Sequence, residues 1–95
     1  MTKAERQHLN AVAELGCIVC RLKLGIPDSP AQIHHIRHGQ GMGQRASHYE
    51  AIPLCHRHHQ GADGIHALGT REWERHYGTE ADLLAEVLRL MKGNP

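Results

Sequence analysis

Apolar residues recur at helical spacing near both ends of the chain. Near the start they predict a helix over residues 2–15, with Thr2 as its cap and Glu5 completing a capping box. Gly16 stands where a glycine commonly ends a helix. Near the other end, Thr79 is expected to begin a last helix. The apolar stripe of that helix is typical of core packing and comprises Leu83, Leu84, Val87, Leu88 and Met91.

Between the two ends, the pattern predicts two short strands. We expect one strand over residues 31–36 and a return strand over residues 49–54. Residues 37–48 contain three alternating glycines and are expected to form the hairpin loop. An alternative interpretation gives this loop contacts with substrate phosphates through Arg37 and Arg45.

Proline and glycine divide the rest of the chain. Residues 21–30 predict a short extended piece and then a loop, because prolines break helices and restrict the residues that precede them. Residues 61–69 predict another glycine-punctuated loop. Thr70 is then expected to cap a helix that ends at Gly78, and Gly93 is expected to end the last helix.

The composition favours a small domain that is stabilised by a metal ion. The chain has 95 residues, and its aromatic content of 3% leaves few large side chains for a core. Its three cysteines cannot all pair as disulfides. No signal peptide or long apolar run is found, so we expect a soluble, cytoplasmic protein whose thiols stay reduced. The net charge of +1 excludes the strongly basic balance of a tight non-specific DNA binder.

Four residues at matched spacing predict a structural zinc site. Cys17 and Cys20 form a C-x-x-C pair, and Cys55 and His58 form a C-x-x-H pair. Two residues between ligands let a tight turn direct both ligands at one ion, and three thiolates with one imidazole are a standard tetrahedral set. The alternative for the first pair is that both cysteines are small buried hydrophobic residues.

The histidines predict a second site. Ten histidines in 95 residues are an unusual number. Neighbouring side chains of a strand point to opposite faces, so we expect one of His34 and His35 to bind a metal while the other faces water or substrate. A short helix expected over residues 56–60 would turn His59 roughly 100° away from His58, toward a different pocket. His56 is expected to face solvent.

Together these motifs resemble the HNH nucleases with the ββα-metal fold, in their zinc-stapled form. The resemblance lies in C-x-x-C at residues 17–20, H-H-I at residues 34–36 and P-L-C-x-x-H-H at residues 53–59. The chain is also similar to the phage recombination-enhancement nucleases, which cut DNA with the help of the RecA filament. That similarity includes the G-x-H-x-x-G of residues 64–69 and the W-x-x-x-Y helix after it.

The resemblance implies an α+β fold in one nuclease domain over residues 1–95. A small ββα-metal core with the structural zinc would occupy about residues 17–66, preceded by an N-terminal helix. Two C-terminal helices would occupy about residues 70–92.

The resemblance also implies roles for three histidines. His34 falls at a metal ligand, His35 at the general base and His59 at a second metal ligand. The middle motif position holds Glu50, where these nucleases have asparagine or histidine. We therefore expect His48, Glu50 or a backbone carbonyl to hold the second ring nitrogen of His35.

These residue types suit phosphodiester hydrolysis. A neutral imidazole can accept a proton from an attacking water at neutral pH, and a divalent ion can stabilise charge on the phosphate. His66 is the candidate for a third ligand of that ion, and its alternative is a hydrogen-bonded loop histidine. Histidine ligands suit Zn²⁺, Ni²⁺ or Mn²⁺ better than Mg²⁺, which stays among the candidate ions.

With this resemblance, the sequence predicts a metal-dependent DNA endonuclease of phage or prophage recombination or repair, acting in the cytoplasm of a bacterial host. The expected substrate is DNA, single-stranded or coated by RecA, with a recombinase as partner and no membrane. Because the net charge is only +1, we expect a DNA-bound partner or a dimer to supply affinity. The alternative is a non-catalytic zinc module that binds nucleic acid or protein, in which His34, His35 and His59 share no role.

Overall fold

The computed structural model describes residues 1–36 and 47–92 of the chain. In those ranges the protein folds as five helices around a two-stranded antiparallel sheet, which confirms the expected α+β class. A π-helical turn at Cys20–Leu24 follows the first helix. The elements in chain order are α1 (Lys3–Glu14), β1 (Gln32–His35), β2 (Ala51–Leu54), α2 (His56–His59), α3 (Ile65–Leu68), α4 (Thr70–Tyr77) and α5 (Glu80–Lys92).

Some expectations concern residues outside the described ranges. They are the phosphate contacts of Arg37 and Arg45, most of the loop at residues 37–48, and the end of the last helix at Gly93. Among the helices of residues 1–36 and 47–92, none is both long and apolar enough to cross a membrane.

The predicted capping box begins α1. The hydroxyl of Thr2 accepts from the backbone N–H of Glu5 at 3.0 Å, and the backbone N–H of Thr2 donates to the Glu5 carboxylate at 2.7 Å. Gly16 follows the helix with a φ of 76°, as a helix-ending glycine should. A Cβ at Gly16 would lie 2.7 Å from the carbonyl oxygen of Pro27, so this turn also needs the close approach that glycine permits.

The two strands pair in a register that places His34 opposite Ile52 and His35 opposite Ala51. All four residues of β2 are buried, because α1 and α5 both pack against this strand. Pro53 lies within β2 and opposite Ile33, which a two-stranded sheet tolerates because each strand has a free edge. The hairpin therefore presents two adjacent histidines next to a strand that is fixed by helices.

The C-terminal helices complete the core. Trp73 of α4 is fully buried, and its indole N–H donates to the backbone carbonyl of His58 at 3.1 Å. This bond ties α4 to the short helix α2. The predicted stripe of α5 buries Leu83 and Val87, whereas Leu88 stays 40% exposed at its edge. The stripe is thus core packing, as expected, over most of its width.

The segment after Cys20 differs from the sequence prediction. Instead of an extended piece, the chain makes a π-helical turn that ends at Gly25, where φ is 70°. The N–H of Ile26 donates to the carbonyl of Cys20 at 3.0 Å and closes the turn. The prolines that argued against a helix lie beyond this turn, so their restrictions do not act on it.

The glycine-rich segment before α4 also differs. It contains the helical turn α3, in which the N–H of Leu68 donates to the carbonyl of Gly64 at 2.9 Å. One turn is too short to give a periodic apolar pattern, which explains why it was predicted as a loop. Thr70 is the first residue of α4 and not its cap; Gly69 occupies the cap position without a side-chain hydrogen bond.

Replacing Gly64 with alanine is expected to destabilise the fold by about 3 kcal/mol, because backbone must move to make room. The new Cβ would lie 2.5 Å from the carbonyl carbon and oxygen of His59. Urea unfolding measures this effect. The matched control is Ala67→Ser, which changes an exposed position of the same turn. Equal stability of the two variants would contradict the close packing of Gly64 on His59.

Candidate metal centres

The four residues predicted to bind zinc converge on one point. Cys17 precedes the π-helical turn and Cys20 begins it, while Cys55 caps α2 and His58 lies within that helix. Their four candidate ligand atoms lie within 4.8 Å of one another. Cys17, Cys20 and His58 are buried and Cys55 is half-buried, so the cluster lies inside the protein.

The spacing of these atoms matches a tetrahedral zinc ion. With zinc about 2.3 Å from sulfur and about 2.0 Å from nitrogen, two sulfurs lie roughly 3.8 Å apart, and a sulfur and a nitrogen lie roughly 3.5 Å apart. The sulfurs of Cys20 and Cys55 are separated by 3.7 Å. Nδ1 of His58 lies 3.7 Å from the sulfur of Cys17, 3.6 Å from that of Cys20 and 3.2 Å from that of Cys55.

The ionisation of the cluster is compatible with a bound cation. Burial raises the pKa of the Cys17 thiol to about 12, so this thiol resists ionisation unless a positive ion is near. Burial, and then the neighbouring Arg57 guanidinium, lower the pKa of His58, which keeps its imidazole neutral and able to bind a metal. The cluster can therefore hold a structural metal ion such as zinc.

A second cluster consists of His34, His59 and His66. Their candidate ligand nitrogens lie within 4.8 Å of one another, and the Nε2 atoms of His59 and His66 are 3.0 Å apart. The three side chains come from β1, α2 and α3. They face an open cavity of about 330 Å³ whose wall comprises Ile33, His34, His35, His59, His66, Thr70 and Glu80.

Helix α2 separates the two clusters through its consecutive histidines. His58 contacts the cysteine sulfurs, while His59 contacts His66 in the cavity. The angular step of about 100° per residue in a helix produces this division. His56, at the start of the same helix, is exposed as expected.

The ring of His59 is held in a form that suits metal binding. Its Nδ1–H donates to the side-chain oxygen of Gln32 at 2.8 Å, which leaves Nε2 as the nitrogen with a free lone pair on the side of His66. Burial, followed by the nearby His34 and His66, lowers the pKa of His59 to about 4. The imidazole is therefore neutral at pH 7.

Two residues of this site were absent from the sequence prediction. Oε2 of Glu80 lies 2.6 Å from Nε2 of His34, and Gln32 holds His59 as described above. Gln32 stands two residues before His34 in the strand, on the same face, and this alternation is a signal that points to it. No feature of the sequence connects Glu80 with a histidine 46 positions earlier.

The neighbouring histidine of β1 has a different partner. Nε2 of His35 lies 3.0 Å from Nδ1 of His48, and the two rings meet edge to face. His48 was one of the groups expected to hold the second ring nitrogen of His35, and it lies within hydrogen-bond distance of that ring. His35 also lines the cavity, so it lies beside the histidine cluster without belonging to it.

The chain is similar to a known family of proteins. A family model described as recombination enhancement, RecA-dependent nuclease matches residues 1–92, which includes every element of the fold and both clusters. Among curated proteins, none matches the chain.

Proposed function

Because the chain belongs to the family of RecA-dependent nucleases of recombination enhancement, we propose that it is a metal-dependent endonuclease that hydrolyses phosphodiester bonds of DNA. The observation that carries this proposal is the cluster of three histidine nitrogens in an open cavity, with His35 on the cavity wall. A nuclease needs a reactive ion and a proton acceptor side by side, and this cavity offers residues for both.

We assign the site to the HNH class, in one domain over residues 1–95. The chain order of β1, β2 and α2 supports this assignment, since it is the ββα order that the class requires. His34 and His59 stand on the first strand and on the helix, where the resemblance implies metal ligands. Glu50 stands at the usual middle position, and His48 contacts the proposed base.

His34, His59 and His66 are the proposed ligands of the catalytic ion. Three neutral imidazoles leave coordination positions open for phosphate oxygen and water, as a catalytic site needs. Imidazole nitrogen favours Zn²⁺, Mn²⁺ or Ni²⁺ over Mg²⁺. When bound, such an ion supplies Lewis-acid stabilisation of the charge that develops on the scissile phosphate and the leaving oxygen.

His35 is the proposed general base. Its imidazole accepts the proton of the attacking water, and the contact of its Nε2 with His48 fixes the ring against the cavity wall. The structural ion at the cysteine cluster takes no part in this step. Its proposed role is to hold α2 in place, so that His59 meets His34 across the cavity.

RecA is the proposed source of DNA affinity. The family description names RecA dependence, and a net charge of +1 provides little general attraction for the phosphate backbone. We therefore propose that DNA coated by RecA, including single-stranded DNA, is the working substrate. A purely structural zinc module would leave the three cavity histidines without a shared role.

We expect wild-type protein to cleave circular single-stranded DNA when RecA, ATP and a divalent ion are present. His59→Ala is expected to lower that cleavage by at least about a hundredfold, because the ion loses a ligand that fixes it in the cavity. The same variant should retain one tightly bound zinc per chain. His56→Ala, an exposed position of the same helix, is the control. Cleavage by His59→Ala at the wild-type rate would contradict the proposed ion site.

A further inference from the structure

The carboxylate of Glu80 reaches the histidine cluster from the far end of the chain. Glu80 is the first residue of α5, and its side chain is only 14% exposed. Oε2 lies 2.6 Å from Nε2 of His34, whose side chain is 9% exposed. A largely buried carboxylate in such close contact with a candidate metal ligand indicates a role beyond surface charge.

The position of Glu80 is fixed by the start of α5. Its backbone N–H donates to the carboxylate of Glu74 at 2.7 Å, and Thr79 accepts from the N–H of Asp82 at 3.0 Å. These bonds cap the helix and hold its first residue against the cavity. The carboxylate is therefore presented to His34 by regular structure and not by a free loop.

Two of the cavity histidines, His34 and His59, have similar hydrogen-bond partners. Nδ1 of His59 is bound to an oxygen of Gln32, and its other nitrogen faces His66. One nitrogen of His34 is likewise bound to an oxygen, that of Glu80. Metal-binding histidines usually donate their second ring N–H to such an oxygen, which fixes the tautomer and the ring orientation.

We propose that Glu80 is a positioning residue of the catalytic ion site. It accepts the Nε2–H of His34, so that Nδ1 carries the lone pair for the ion. Glu80 lines the cavity but is not among the three side chains whose candidate ligand atoms lie within 4.8 Å of one another, so its close contact is with His34 and not with the whole cluster. This inference rests on the proposed function, because it assumes that the histidine cluster binds an ion.

The negative charge of Glu80 supports the same role. Imidazole ligands carry no negative charge. Three of them would therefore leave the charge of a divalent ion in the cavity uncompensated. The hydrogen bond from His34 to a carboxylate makes that imidazole a stronger electron donor, and the carboxylate adds one negative charge near the ion. Gln32 gives His59 the same geometry without the charge. Glu80 therefore distinguishes His34 as the stronger ligand of the pair.

The test compares Glu80→Ala and Glu80→Gln with wild type. Protein that retains its structural zinc is titrated with Co²⁺, and the affinity of the second ion is read from the visible absorption. We expect Glu80→Ala to weaken this affinity by about 10–100-fold. Glu80→Gln keeps an acceptor for Nε2–H but not the charge, so its affinity should lie between those of Glu80→Ala and wild type. Glu86→Ala changes an exposed carboxylate of the same helix and serves as the control.

Nuclear magnetic resonance of histidine-labelled protein gives a second readout. In protein that holds only the structural zinc, His34 of wild type should carry its proton on Nε2, and Glu80→Ala should lose this preference. Wild-type Co²⁺ affinity in Glu80→Ala overturns the inference and leaves the proposed function intact. Equal weakening by Glu80→Gln and Glu80→Ala also overturns it, because the acceptor for the Nε2–H of His34 then contributes nothing. Wild-type protein that binds only the structural zinc overturns both.

Discussion

Replacing His35 with alanine is expected to reduce DNA cleavage by about 100-fold or more, with zinc content unchanged. The physical reason is that the attacking water would lose the group that accepts its proton, and a positioned base contributes about 10²–10⁴ in rate. His35 is only half-buried and is not one of the clustered ligand residues, so stability should change by no more than about 1.5 kcal/mol. Single-turnover cleavage of RecA-coated DNA measures the rate of the chemical step.

The His35→Ala experiment distinguishes loss of the general base from loss of the bound ion. His35→Ala should bind the second metal ion with wild-type affinity, whereas His59→Ala should not. His76→Ala is a suitable control, since His76 is exposed and pairs with Glu72 on the surface of α4. Wild-type cleavage by His35→Ala would refute the base assignment while leaving the ion site in place. Loss of both cleavage and metal binding would instead indicate that His35 supports the ion.

The cluster of Cys17, Cys20, Cys55 and His58 is the part of the molecule that the sequence predicted best. The cluster is built from two short local motifs, the C-x-x-C and C-x-x-H pairs. In each pair, the spacing of two intervening residues directs both ligands toward the same ion. The division of work between His58 and His59 follows equally from local geometry, because the helical step turns consecutive residues to different sides. Local rules of this kind do not depend on how distant segments pack.

The features that escaped prediction depend on packing between distant segments. Glu80 meets His34 only because α5 packs on β2, and the sequence contains no sign of which residue at the start of that helix will face the cavity. His48 was one of three candidates for the same reason: it lies in a turn before β2 and meets His35 of β1 only when the chain is folded. Contacts of this type require the assembled fold, since they join residues whose local patterns are independent.

The helical turns at Cys20–Leu24 and in α3 were missed for another reason. Both are single turns whose formation is driven by contacts around them, because an isolated turn is unstable in water. The first turn begins at Cys20, the second cysteine of the C-x-x-C pair. The second turn packs Ile65 into the core and places His66 at the cavity. A segment predicted as extended and another predicted as a loop thus form helical turns where they border the two clusters of candidate ligands.

Cys55→Ser is expected to release the structural zinc and to unfold most of the protein at 25 °C. A serine hydroxyl does not replace a thiolate as a zinc ligand, and structural zinc contributes apparent binding free energies of about 10–16 kcal/mol in small domains. That is comparable to the whole stability of a typical domain, about 5–15 kcal/mol. Metal content by atomic absorption and near-ultraviolet circular dichroism measure the two effects.

The reason for this large effect lies in how the cluster connects the fold. Cys17 and Cys20 follow α1, and Cys55 and His58 begin α2, so one ion joins segments that are otherwise 35 or more residues apart. Without it, the buried thiol of Cys17 and its neighbours are left around an empty centre. Removing zinc from wild type with a chelator should reproduce the unfolding, and returning zinc should reverse it. A Cys55→Ser protein that melts like wild type would show that the apolar core holds the two segments without the ion.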